Sequence, residues 1–132
     1  MHSKSYGVQV SEFTIEQAAE RMGLTKHTLR YYEREGLLPP VAKAVNGHRR
    51  YSEEDLGWVK FLQLLRATGM PIREMKDFMA LTWAGDHTIP DRVEVLRRYR
   101  AELEKRMTED REHLEFLNRK IDTYASLLTP LP

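Results

Sequence analysis

Apolar residues recur at helical spacing over most of this chain, and the interruptions between them predict several helices, one of them very long. Residues 1–12 are polar and unpatterned, and are expected to form a flexible N-terminal arm. At Phe13 the pattern changes. Thr14 is placed to cap a helix that carries Ile15, Ala18, Ala19 and Met22 on one side, and Gly23 stops it. Thr25, followed by Thr28 and Leu29, starts a second helix that ends near Glu35-Gly36, where glycine supplies the left-handed C-terminal conformation. Two short helices with glycine in the turn between them predict a helix-turn-helix.

From Pro39-Pro40 to Tyr51 the chain cannot be helical, and Asn46-Gly47 favours a type I′ hairpin, which forms a wing. Ser52-Glu53-Glu54-Asp55 is a helix start, with a capping serine and acids at the positive end of the helix dipole. The third helix runs to about Thr68 with Leu56, Val59, Leu62 and Leu65 as its buried stripe. After Gly69-Met70-Pro71 a fourth helix is marked by Ile72, Met75, Phe78, Met79 and Leu81, with Pro71 in its first turn. The predicted division is therefore a winged helix-turn-helix head over 13–81, a linker loop over 82–90, a helix over 91–128 and a tail over 129–132.

The stretch from Asp91 to Leu128 holds neither glycine nor proline, so it reads as one helix about 57 Å long at 1.5 Å per residue. With Val93 at heptad position a, the a/d seam is Val93, Leu96, Arg100, Leu103, Met107, Asp110, Leu114, Leu117, Ile121, Tyr124 and Leu128. A small four-helix head cannot cover a stripe of that length, so the helix is expected to pair with its copy in a second subunit. Arg100 and Asp110 are the polar exceptions. They either set the register or mark where the helix leaves the seam.

Charge sharpens this picture only by its distribution. The net charge is +1, but residues 1–51 hold eight Lys and Arg against five Asp and Glu, whereas the remainder hold thirteen against fifteen. The basic surplus lies with the helix-turn-helix, where Lys26, Arg30, Tyr31, Tyr32 and Arg34 crowd about three helical turns and His48-Arg49-Arg50-Tyr51 follow the hairpin. Such basic and aromatic groups suit phosphates and base edges.

The absence of cysteine excludes disulfides, thiolate metal sites and thiol switches. His2, His27, His48, His87 and His113 show no paired ligand spacing, so no metal or other cofactor is expected. No nucleophile, base and orienting group stand together and no glycine-rich phosphate loop is present, so the protein is not read as an enzyme. There is no signal-peptide pattern and no apolar run that spans a bilayer; a cytoplasmic protein is expected, without a membrane partner.

Taken together, Thr28-Leu29-Arg30-Tyr31-Tyr32-Glu33 with Gly36-Leu37-Leu38, the hairpin Asn46-Gly47-His48-Arg49-Arg50-Tyr51, the Ser52-Glu53-Glu54-Asp55-Leu56 helix start and the long last helix resemble the MerR family of bacterial transcription regulators. The resemblance covers residues 13–128. Gly69-Met70-Pro71-Ile72-Arg73-Glu74 and Gly85-Asp86-His87-Thr88 look most like the subgroup with aldehyde-responsive members. The resemblance implies a mainly α fold whose C-terminal dimerisation helix forms an antiparallel coiled coil. It further implies a homodimer on a pseudo-palindromic promoter, which distorts the spacer between promoter elements so that RNA polymerase can engage both.

Carried over by motif, Thr25, Lys26, His27 and Arg30 would face the groove. Tyr31, His48, Arg49, Arg50 and Tyr51 would contact the backbone, and Arg73 would belong to a second wing. Thr14 reads first as only the cap of its helix, with a phosphate contact at that helix terminus as the alternative. Tyr32, Leu29 and Leu37 read instead as core. Family members that sense metals, oxidants or aldehydes use cysteines, the last kind near the position of Leu64 here, so those mechanisms do not carry over.

Trp83, Asp86, His87 and Tyr99 could line an effector pocket for a small molecule; the competing reading has Trp83 packing the head on the partner's coil. Met70, Met75, Met79 and Met107 read as adaptable core filling. Two other classes compete with the regulator: an excisionase-like or architectural DNA-binding factor, and a coiled-coil protein-interaction module.

Overall fold

The computed structural model describes residues 12–43 and 46–128. The arm and tail expected over 1–12 and 129–132 lie outside the described residues, apart from Glu12.

Short polar caps divide the head into its helices. The Thr14 hydroxyl accepts the Gln17 N–H at 3.1 Å while the Gln17 side chain accepts the Thr14 N–H at 2.9 Å, which fixes the start of α1 (Ile15–Met22). Gly23, at φ 67°, ends it in the left-handed conformation that a side chain would resist. Thr25 accepts the Thr28 N–H and opens α2 (Lys26–Arg34). Ser52 and Asp55 form a second reciprocal cap at the start of α3 (Glu53–Ala67). Pro71, needing no N–H partner, precedes α4 (Ile72–Ala84).

Three short strands form one sheet in the order β1-β3-β2: β1 (Glu12–Phe13), β2 (Ala42–Lys43) and β3 (Arg49–Ser52). All pairs are antiparallel, with Phe13 opposite Tyr51 and Lys43 opposite Arg49. The wing is thus joined by a strand that precedes the first helix, a two-residue element too short to leave a sequence period. The hairpin turn also differs from the expected type I′. That type needs positive φ at both central residues, but only Gly47 has it, at 83°, and β2 and β3 are joined through residues 44–48.

Leu29, Leu37, Tyr51, Val59, Leu62 and Met75 are fully buried and knit α2, the sheet, α3 and α4 into one core. Met70 and Met79 are buried with them, as expected, whereas Met107 stands exposed on the last helix.

The expected linker over 82–90 is mostly helical. With no glycine or proline before Gly85, α4 continues through Trp83 to Ala84, and Gly85 at φ 122° breaks it. A 3-10 turn (Asp86–Thr88) then leads into α5 (Ile89–Leu128), a helix of 40 residues. Thr88 ties this corner: its buried hydroxyl donates to the Leu81 carbonyl at 2.6 Å and accepts from Arg92 Nε at 3.0 Å. Pro90 lies in the first turn of α5, where helix N–H groups have no carbonyl partner in any case.

Tyr99 is buried between α5 and α4 and donates its hydroxyl to the Glu74 carboxylate, on which Arg98 also converges at 3.5 Å. Burial and that carboxylate hold the phenol above its ordinary pKa. Beyond Leu103 every residue of α5 is exposed.

Candidate nucleic-acid interface

Helix α2 sorts its side chains by face. Leu29 and Tyr32 point into the core, while Lys26, His27, Arg30 and Arg34 are exposed on the opposite side. Tyr31 is half-buried, with the Arg34 guanidinium 5.6 Å from its ring centre. The exposed face lies next to the start of α1 and the turn of the wing. Thr14, Ile15, Glu16, Arg30, Gly47 and His48 line one cleft of about 290 Å³. A helix N-terminus, an arginine of the second helix and the wing therefore meet at one surface, an arrangement suited to a phosphate and the adjoining groove.

The other predicted positions fall around this cleft. Thr25 is exposed at the start of α2, and its hydroxyl bonds both the N–H and the hydroxyl of Thr28. Lys26 lies 3.4 Å from Glu16, both side chains open to solvent. The Glu16 carboxyl is held below its usual range, first by a backbone N–H at the start of α1 and then by Lys26. An anion competing for Lys26 meets an acid that the sequence motifs did not point to. In the wing, Asn46 accepts the His48 N–H at 3.0 Å and fixes the turn, and Arg50 is half-buried. The Arg49 backbone pairs with Lys43, and its side chain lies outside the described residues. Arg73 is exposed in the first turn of α4, 3.7 Å from Glu74.

Tyr51 requires a correction. Expected on the DNA backbone, it is 0% exposed and forms part of the core. Strand β3 alternates its faces, so Tyr51 turns away from the side of Arg50, and the pairing with Phe13 directs it inward. Tyr51→Ala is expected to destabilise the head by about 3–5 kcal/mol, the usual cost of removing a buried aromatic. Arg50→Ala should stay within about 0.5 kcal/mol. Urea denaturation of both variants checks this; an alanine at 51 that kept full stability and lost only DNA affinity would restore the contact reading.

The candidate effector pocket is not assembled. Trp83, in the last turn of α4, donates its indole N–H to the Gly36 carbonyl at 3.1 Å and packs edge-on against Trp58 at 4.9 Å. Tyr99 meets Glu74 at the opposite end of α4, about 13 Å away along the helix. Asp86 and His87 are exposed in the 3-10 turn. The antiparallel run of α4 and α5 separates residues that stand close together in the sequence.

Two structural groups had no signal in the sequence. Glu35, at the end of α2, forms a 2.8 Å ion pair with Lys76 of α4. The pair lowers the carboxyl pKa and raises that of the ammonium, and it braces the second helix of the motif against α4. Arg106 donates to the Thr68 carbonyl at 3.3 Å, holding α5 against the turn before α4.

Residues 13–82 match the family model described as MerR HTH family regulatory protein. An uncharacterized HTH-type transcriptional regulator of Haemophilus influenzae is 36% identical over 112 residues, which are 85% of this chain and 83% of that protein. The HTH-type transcriptional regulator AdhR of Bacillus subtilis is 43% identical over 82 residues, 62% of this chain and 59% of that one. Among solved structures, HiNmlR, a MerR family regulator lacking the sensor domain and bound to promoter DNA, superimposes with a TM-score of 0.80 at 34% identity. The match covers 88% of this chain and 92% of that one. A MerR family transcriptional regulator from Bacillus thuringiensis gives a TM-score of 0.73 at 31% identity, over 86% of this chain and 100% of that one. With its helix-turn-helix and wing inside the matched residues 13–82 and 88% of its length superimposed on HiNmlR, this chain belongs to the MerR family of DNA-binding transcription regulators.

Proposed function

We propose that the protein acts as a homodimer that binds a pseudo-palindromic promoter site and controls transcription by distorting the spacer DNA, acting on RNA polymerase by binding and without a catalytic step. The observation that carries this reading is the convergence of α1, α2 and the wing on the cleft beside Arg30 and His48. Thr25, Lys26, His27 and Arg30 take the groove in this reading. Thr14, Tyr31, His48, Arg49 and Arg50 take the backbone on one side, and Arg73 takes it on the other.

A single head of this size reads only a few base pairs, and a second head on the far end of a rigid helix supplies the other half-site. Both heads gripping one duplex by its phosphates can bend or untwist the intervening base pairs, and the deformation is offset by the added contacts. The promoter, RNA polymerase and the second copy of the chain are the partners, in the cytoplasm of a bacterial cell. A small-molecule effector, if it acts, does so without the cysteine chemistry that the sequence lacks.

Footprinting on the promoters of its own and neighbouring genes tests the proposal. Two protected half-sites about a dyad are expected, with a hypersensitive centre and a spacer longer than that of an ordinary promoter. Affinity should fall steeply with salt, the slope being about −0.9 per phosphate neutralised. A spacer of ordinary length without a hypersensitive centre would replace spacer distortion by simple occlusion of polymerase.

A further inference from the structure

The exposed face of α2 carries two cations one helical turn apart that differ in their surroundings. Arg30 lines the cleft with Thr14 and His48 and forms no ion pair among the described residues. Lys26 holds its ammonium 3.4 Å from the carboxylate of Glu16, which lines the same cleft from the side of α1. We propose that Glu16 is a specificity-determining residue of the DNA interface: it withholds Lys26 from duplex of arbitrary sequence and yields it only to a closely fitted operator. This role for Glu16 rests on the DNA-binding reading above and adds to it a residue that acts through Lys26 without being a DNA contact itself.

The carboxylate is held where it stands. Glu16 is the second residue of α1, where the positive end of the helix dipole favours an acid. A backbone N–H at that helix start, together with Lys26, keeps its carboxyl below the usual range and therefore ionised. When Lys26 moves, Glu16 stays behind on α1, and the lysine has to choose between two anions.

Distance decides that choice. Both side chains of the pair are open to solvent, so its net strength is small and a well-placed anion or base edge can take the lysine. Binding to arbitrary duplex is carried by phosphate charge, without base contacts that press the DNA into the cleft. The carboxylate at 3.4 Å is then the nearer anion and keeps the ammonium, because the attraction falls with separation. On an operator, base contacts from the groove face seat the duplex closely and Lys26 turns from Glu16 to the DNA. Glu16 thus removes one cation per head from binding that carries no sequence information.

Glu16→Gln keeps an oxygen for the N–H groups of α1 and removes the charge. The variant is measured as the full-length dimer on two labelled duplexes. One is a mixed-sequence duplex of about 30 base pairs, roughly three helical turns, without an inverted repeat. The other is the promoter duplex recovered by footprinting. On mixed sequence, freeing Lys26 in both heads should steepen the slope of log affinity against log salt by about 1.8, which is 0.9 for each phosphate newly neutralised. The gain of the variant over the wild type then grows about tenfold when salt falls about fourfold. On the promoter duplex the slope should not steepen, because Lys26 is engaged there already. In a Lys26→Ala background the effect of Glu16→Gln on mixed sequence should vanish.

Equal steepening on both duplexes, or steepening that survives Lys26→Ala, would make Glu16 a general repulsive charge and overturn the inference. No change on either duplex would leave Glu16 only an acid at a helix start and overturn it as well. Failure of the DNA-binding reading looks different: the wild-type dimer would then hold neither duplex at any salt concentration, and this role for Glu16 would fall with it.

Discussion

Leu117→Glu is expected to give a monomer with an intact head. Leu117 is 53% exposed on α5, in the stretch after Leu103 where every residue of the helix is exposed. In the paired coil it is buried twice, once in each copy. Each leucine removed forfeits roughly 2 kcal/mol of apolar burial. Each glutamate adds the cost of a carboxylate taken from water into an apolar seam, several kcal/mol if it stays charged. Even the leucine part alone, about 4 kcal/mol per dimer, weakens association about a thousandfold.

Sedimentation velocity at micromolar protein should therefore show a single species at monomer mass. Circular dichroism should show the head melting as before. Operator affinity should fall with the dimer, because joining two heads contributes the usual gain of about 10²–10⁴ over one. A dimer that survives the change would place the interface away from this face of α5.

The parts of the fold that were legible in the sequence are those fixed by local chemistry. Thr14, Thr25 and Ser52 name their helices because a hydroxyl at an N-cap satisfies a backbone N–H whatever the rest of the chain does. The inward side of α2 was legible for a similar reason, since Leu29 and Tyr32 share a face by helical period alone. What could not be read locally depends on partners far away in the chain. Tyr51 stands in a run with Arg49 and Arg50 and reads as part of a basic aromatic patch until β1 pairs with β3 and turns it inward.

The same holds at the corner after α4. Trp83, Asp86, His87 and Tyr99 are close in sequence, but Thr88 and Gly85 reverse the chain there, so that Tyr99 returns beside Glu74 while Trp83 turns toward Gly36. Nothing local in Glu35 and Lys76 announces their ion pair, which depends on α2 and α4 meeting. The long helix was the converse case: its stripe was plain, and the missing information was what covers it.

Arg30→Ala combined with Arg49→Ala is expected to abolish useful duplex binding while leaving the dimer unchanged. Arg30 is exposed on the outer face of α2 and lines the cleft with Thr14 and His48, so its removal takes away a groove or phosphate interaction without opening the core behind Leu29. Arg49 belongs to the strand that carries the wing, where its backbone pairing with Lys43 survives an alanine. A dimer loses four guanidinium groups. At about 1 kcal/mol each, the low end for such groups, binding falls by roughly 4 kcal/mol, close to a thousandfold.

If all four meet phosphates, the slope of log affinity against log salt should also flatten by about 3.6, which is 0.9 for each phosphate no longer neutralised. Anisotropy of a labelled duplex over a salt series reads both quantities, and sedimentation of the same sample confirms the dimer. The two arginines can also be told apart. A base contact by Arg30 should relax preference at one position of each half-site, whereas a phosphate contact should weaken all sequences alike. Unchanged affinity in a folded dimer would remove DNA from this face of the head and leave it as a surface for protein.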